Sequence, residues 1–225
     1  MLEHLNRLEE LRGPMKREAE FFADVKRLKH WQHQRLRYTY HDLSMDHRFA
    51  PATAFFLDEL YGEKDTATRD RDLLRMYPTI NRLLPKFAFE TLGNALALDV
   101  LSEEFDQALA SQVRGVAISN AVYCEAFRAV GRKADRLRQV ALMQDVGHGL
   151  DLVVKKPLIY STLKMLRRPS KMAGLEEMQQ FLEAGFSAFR HMKGATPFLH
   201  TIAERETAFI EAIFSRGVPD LPLEK

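Results

Sequence analysis

The residues of this 225-residue chain with the best claim to chemistry are polar groups that fall on apolar helical stripes. Gln32, Arg35, Thr39 and Asp42 are spaced three, four and three apart, which places them on one face of a helix. That face starts apolar, with Phe21, Val25 and Leu28, and turns polar halfway along. Inward polar groups either pair with each other in a core or line a cavity. A guanidinium at Arg35 could clamp a carboxylate or phosphate through two parallel N–H bonds, with Tyr40 and His41 beside it. Equally, Arg35 could pair with Asp58 or Glu206 inside a bundle. Glu206 lies on a stripe between Ile202 and Phe209, where an unpaired carboxylate is expensive. An arginine partner satisfies it most simply, and a metal is the other option.

His148 stands between Gly147 and Gly149, one turn after Gln144. Each glycine costs a helix about 1 kcal/mol against alanine, so a close helix crossing or a flat ligand must compensate. His148 is then either an axial haem ligand or a core histidine at a tight crossing. A di-iron site needs Glu-x-x-His pairs on facing helices, and the sequence contains none. Nor does it contain a Gly-x-Gly-x-x-Gly, a P-loop, a His-Glu-x-x-His, a Gly-x-Ser-x-Gly or a Cys-x-x-Cys. The single cysteine, Cys124, reads as a buried, inert thiol.

The elements that must position these groups are helices. Apolar residues recur at three and four nearly throughout, and Gly and Pro fall mostly between such runs. The pattern predicts helices over 1–11, 15–43, 50–61, 65–75, 86–110, 118–130, 132–154, 157–166, 175–192 and 196–214. Gly13-Pro14, Gly62, Gly131, Gly194 and Gly217 punctuate them. No segment alternates with period two. The expected fold is all-α: one bundle of eight to ten helices over 1–217, with 218–225 as a loose tail.

Composition sets the outer bounds. Hydrophobic residues make up 46% and charged residues 28%, as in an ordinary globular protein. No signal-peptide pattern and no membrane-length apolar run is visible, so a cytoplasmic location is expected. The net charge is +2, but 128–171 carries eleven Lys/Arg against Asp135, Asp145 and Asp151. That segment is either a solvated face or a surface for an acidic or phosphate-bearing partner.

The run Phe55-Phe56-Leu57-Asp58-Glu59-Leu60-Tyr61-Gly62, followed by Arg69-Asp70-Arg71-Asp72, resembles the signature of an uncharacterised family of bacterial proteins. The upstream Arg35-Leu36, Thr39-Tyr40 and Asp42-Leu43 also fit that family. So do the downstream 181–190 and Arg205-Glu206, and the likeness spans roughly 21–214. The resemblance brings no activity with it. It implies that Arg35, Asp58, Arg69, Asp70, Arg190 and Glu206 form an internal ion-pair network. Length and helix count also fit haem-oxygenase-like and globin-like architectures.

The expected function is a non-enzymatic protein that binds a small molecule or a protein partner. Its pocket would lie between the polar half of the long helix and the 50–61 helix. Gln32, Arg35, Tyr40, His41 and Tyr61 would line it. The alternatives are an iron- or haem-dependent oxygenase-like enzyme and a nucleic-acid-binding protein acting through 128–171. Nucleic acid is the weaker partner, no membrane is expected, and a homodimer through one helix face is open.

Overall fold

Two runs of helix, 2–17 and 19–39, open the chain and meet at Glu18. The structure is a computed structural model that describes residues 1–60, 67–83, 85–165, 167–217 and 219–222. In order its helices are α1 (Leu2–Arg17), α2 (Ala19–Thr39), α3 (His41–Met45) and α4 (Ala50–Phe55). Helix α4 continues into a π-helical turn, Phe56–Leu60. There follow α5 (Ala67–Leu83), α6 (Lys86–Gln112), α7 (Asn120–Val130), α8 (Lys133–Val154) and α9 (Pro157–Met165). The last three are α10 (Arg167–Met172), α11 (Glu176–Met192) and α12 (Thr196–Phe214). The fold is all-α, with no strand among the described residues. No described helix is long and apolar enough to cross a membrane.

The breaks follow local chemistry. The Ser119 hydroxyl caps α7 by accepting from Val122 N–H at 3.2 Å, and Gly131 closes it at φ 67°. Several breaks differ from the expected ones. Helix α1 runs through Pro14 rather than stopping at Leu11, and Pro78 lies inside α5. Proline removes one backbone hydrogen bond, but α1 buries Leu5, Leu8 and Met15 on one continuous face, which outweighs that loss. The expected long helix over 15–43 is instead divided at Glu18 and Tyr40.

The core has three parts. Phe55 and Phe56 pack with Phe189, Phe198 and Leu199 in the first. The second joins Leu28, Leu109, Tyr123, Phe127, Phe209 and Ile213. Leu5, Leu8, Leu73, Leu96 and Met178 make the third. Helix α8 touches α6, α9, α11 and α12, and so links the first two. In the described part of the tail, Asn120 donates to the Pro222 carbonyl at 2.8 Å, and Leu221 rests on the second core.

Candidate functional site

The polar half of α2 meets α12. Arg35, buried, donates from Nη1 and Nη2 to the two Glu206 oxygens at 2.5 and 3.0 Å. The Tyr40 hydroxyl donates to the same carboxylate at 2.6 Å, and the guanidinium lies 4.5 Å from the Phe209 ring centre. Burial alone would lower the Arg35 pKa, but Glu206 overcomes it and the pKa is raised. Nearby, Arg205 grips both Asp42 oxygens at 2.7 Å and the Thr39 carbonyl at 2.7 Å. Arg35 thus takes the Glu206 partner that the sequence offered as the alternative to a pocket wall, and Tyr40 meets the same carboxylate.

A second polar cluster lies deeper, where α1, α2, α7 and α8 surround α6. Glu103 is 2% exposed and accepts from Arg12 Nε at 3.1 Å and Lys29 Nζ at 3.2 Å. Arg12 also reaches Asp99 at 2.8 Å, and Lys29 lies 3.6 Å from Asp106. Gln32 points into this cluster, bonded to Asp106 and Tyr123. Arg136, 4% exposed, is sandwiched between Phe127 and Phe105, at 3.4 and 4.0 Å from their ring centres. Its Nε and Nη2 have no hydrogen-bond partner among the described residues. Burial holds its pKa down to about 10, partly offset by Tyr123 and Asp106.

Little in the sequence points to this cluster. Glu103, Asp106 and Arg136 look like ordinary surface charges on helices that are in fact covered on several sides. The one available signal was the inward direction of Gln32.

The remaining candidates are dispersed. His41 is exposed on α3. His148 is exposed too, which corrects its expected inward position. The flanking glycines face the neighbours instead: a Cβ on Gly147 would collide with Leu199, and one on Gly149 with Thr91. Asp58, in the π turn, lies 4.0 Å from His33 Nε2. Arg190 is exposed and rests on the Tyr160 ring at 4.7 Å. Asp58, Arg190 and Glu206 therefore form no common network among the described residues, because each sits on a different helix face. Tyr61 and the side chains of Arg69 and Asp70 lie outside the described residues. Cys124 is buried, which pushes its thiol pKa up. No three His, Cys, Asp or Glu residues among those described are placed to hold a metal ion.

An open groove of about 440 Å³ runs between α4, the π turn and α11. Pro51, Ala54, Phe55, Ala184 and Ala188 form its apolar lining, and Asp58, Glu59 and His191 its polar one. Of these, the sequence singled out only Asp58 as a site residue. Alanines carry no chemical signal, although Gly185 marks the close approach of α11 to the Phe55 ring, where a Cβ would lie 2.8 Å from Cζ.

No curated protein and no solved structure matches the chain. A family profile does match, over residues 12–219, and its description is a domain of unknown function, DUF8198. That match takes in α2 to α12 whole, so the groove and both polar clusters fall within the matched span, and the chain belongs to the DUF8198 family.

Proposed function

We propose that the chain is a partner-binding helical protein, and that the groove between α4, the π turn and α11 receives a short basic amphipathic segment of another protein. The observation that carries this reading is the lining: small apolar side chains with two carboxylates beside them. Ala54 and Ala184 are exposed and let a helix backbone approach closely. Asp58 and Glu59 favour a basic flank on that helix. The π turn supports the reading, since such turns recur at functional positions. Arg35, Tyr40 and Asp42 are better understood as ties between helices, because all three meet partners within the chain.

The test is calorimetric titration of the full chain with a Lys/Leu amphipathic helical peptide and with its Glu/Leu counterpart. Saturable binding of the basic peptide alone is expected, with loss on Ala184→Arg, which fills the groove from an exposed position. Binding that survives both Ala184→Arg and Asp58→Lys would overturn the reading, as would no binding at all.

A further inference from the structure

Residues 155–174 hold six Lys/Arg and no Asp or Glu. They form the end of the α8–α9 connection, α9 and α10. One side of α9 is anchored: Leu163 is buried, and Tyr160 stacks on Phe186 at 5.1 Å between ring centres. The other side is not. Leu158 is 80% exposed, Met165 78% and Met172 90%. They recur at intervals of seven residues, and Leu158 and Met165 share the outer face of α9 with Ser161 and Thr162. Helix α10 has no buried residue, so it stands at the edge of the molecule.

The cations divide into two groups. Lys155 turns back to Asp151, Arg167 to Glu183 and Lys171 to Glu176. Lys156, Lys164 and Arg168 make no ion pair with the described residues, and all three are exposed. The local field is positive enough that the Tyr160 hydroxyl is held below its ordinary pKa, chiefly by Lys164 and further by Arg190 and Arg167.

We infer that this edge is a peripheral docking surface for an anionic bilayer, with Leu158, Met165 and Met172 entering the headgroup boundary and Lys156, Lys164 and Arg168 meeting lipid phosphates. Exposed thioethers and a leucine contribute nothing to a phosphate backbone, which weighs against nucleic acid. A protein groove would demand a contiguous apolar patch. Here the side chains on α9 stand about 10 Å apart, seven residues at about 1.5 Å each. A bilayer accepts isolated apolar side chains one by one. Stable peripheral anchoring takes two signals, and both are present here, apolar insertion and basic charge. This surface is distinct from the groove on α4.

The test is co-sedimentation of the full chain with phosphatidylcholine vesicles and with phosphatidylcholine–phosphatidylglycerol vesicles, at low and high salt. Sedimentation with the anionic vesicles alone, abolished by high salt, is expected. Lys156→Gln with Lys164→Gln and Arg168→Gln lowers partitioning on the order of a hundredfold, roughly fivefold per cation. Leu158→Ser with Met165→Ser and Met172→Ser lowers it at least about tenfold, leaving helicity by circular dichroism unchanged. No sedimentation with anionic vesicles at low salt overturns the inference. So does a triple-serine variant that binds like the parent, particularly if duplex DNA then competes the vesicles away, since the surface would be a polyelectrolyte site.

Discussion

Two buried guanidiniums in this bundle have opposite surroundings, and they should respond oppositely to the same substitution. Arg35 holds a bidentate carboxylate, and Glu206 also takes the Tyr40 hydroxyl. Arg35→Met leaves Glu206 with one neutral donor, so a loss of about 3 kcal/mol is expected in urea unfolding, at unchanged slope. Replacing Glu206 by Leu in the same chain should recover most of it, since an apolar pair of similar volume restores packing. Among the described residues Arg136 has no ion-pair partner, and two of its donors are without a hydrogen-bond partner. Its planar group is held between Phe105 and Phe127 instead. Arg136→Met keeps apolar contact with both rings and removes a desolvated charge, so the unfolding free energy should hold or rise by about 1 kcal/mol. A loss as large as that of Arg35→Met would mean the ring sandwich is worth more than this argument allows. The sequence distinguished these two arginines only partly. Arg35 fell on a stripe with Gln32 and Thr39, so it was visibly inward, whereas Arg136 has charged neighbours at Arg132, Lys133 and Asp135 that make its turn look solvated.

Helix α8 is where two close packings meet. Gly147 faces α12 and Gly149 faces α6, and an added Cβ would lie 3.0 Å from Leu199 Cγ or 2.9 Å from Thr91 Cβ, with terminal atoms nearer still. Leu199 is fully buried, and the Thr91 hydroxyl is held by the Phe87 carbonyl at 2.8 Å, so neither can swing away freely. Gly147→Ala and Gly149→Ala should each cost about 1–3 kcal/mol by overpacking, despite the better helix propensity of alanine. Gly93 in α6 is the control, because nothing lies within 4 Å of its added Cβ. Gly93→Ala should gain about 0.5–1 kcal/mol. Thermal unfolding of the three variants checks the order. In a Leu199→Ala background the cost of Gly147→Ala should largely vanish, while that of Gly149→Ala persists. At this scale the sequence was informative. Two glycines around His148 implied a close crossing or a flat ligand, and the crossing is present on both sides of the helix. The histidine between them drew attention because of its chemistry, yet it points to solvent, since at 100° per residue it cannot share a face with either glycine. The helices themselves were legible from period and punctuation. Pro14 misled because burial of Leu5, Leu8 and Met15 on one face outweighs a single missing hydrogen bond, and Pro78 too lies inside a helix.

Across the whole molecule, α6 acts as an acidic axle. Asp99, Glu103, Glu104 and Asp106 receive Arg7 and Arg12 from α1, Lys29 from α2 and Arg132 from the start of α8. This ties the N-terminal helices to the centre of the bundle, and it makes stability depend on pH through two acids with opposite signs. Burial works to raise the Glu103 pKa, but Lys29 and Arg12 overcome it and the net shift is downward. Its contribution is therefore present above the unfolded carboxylate pKa and is lost as pH falls through the lower folded value. For Asp106 burial prevails over Lys29 and the shift is upward. A raised acid favours the folded state at low pH, and that advantage disappears as pH rises through the folded pKa. At neutral pH, Glu103→Gln should then be less stable than the parent and Asp106→Asn more stable. Both differences should shrink on acidification. The Asp106→Asn gain should fade first, at the higher pH, because its parent carboxyl protonates earlier. Urea midpoints for the three proteins between neutral and acid pH read this out. If Asp106→Asn is instead the destabilised variant at neutral pH, Lys29 depends on that carboxylate more than burial penalises it, and the axle holds by attraction at both positions.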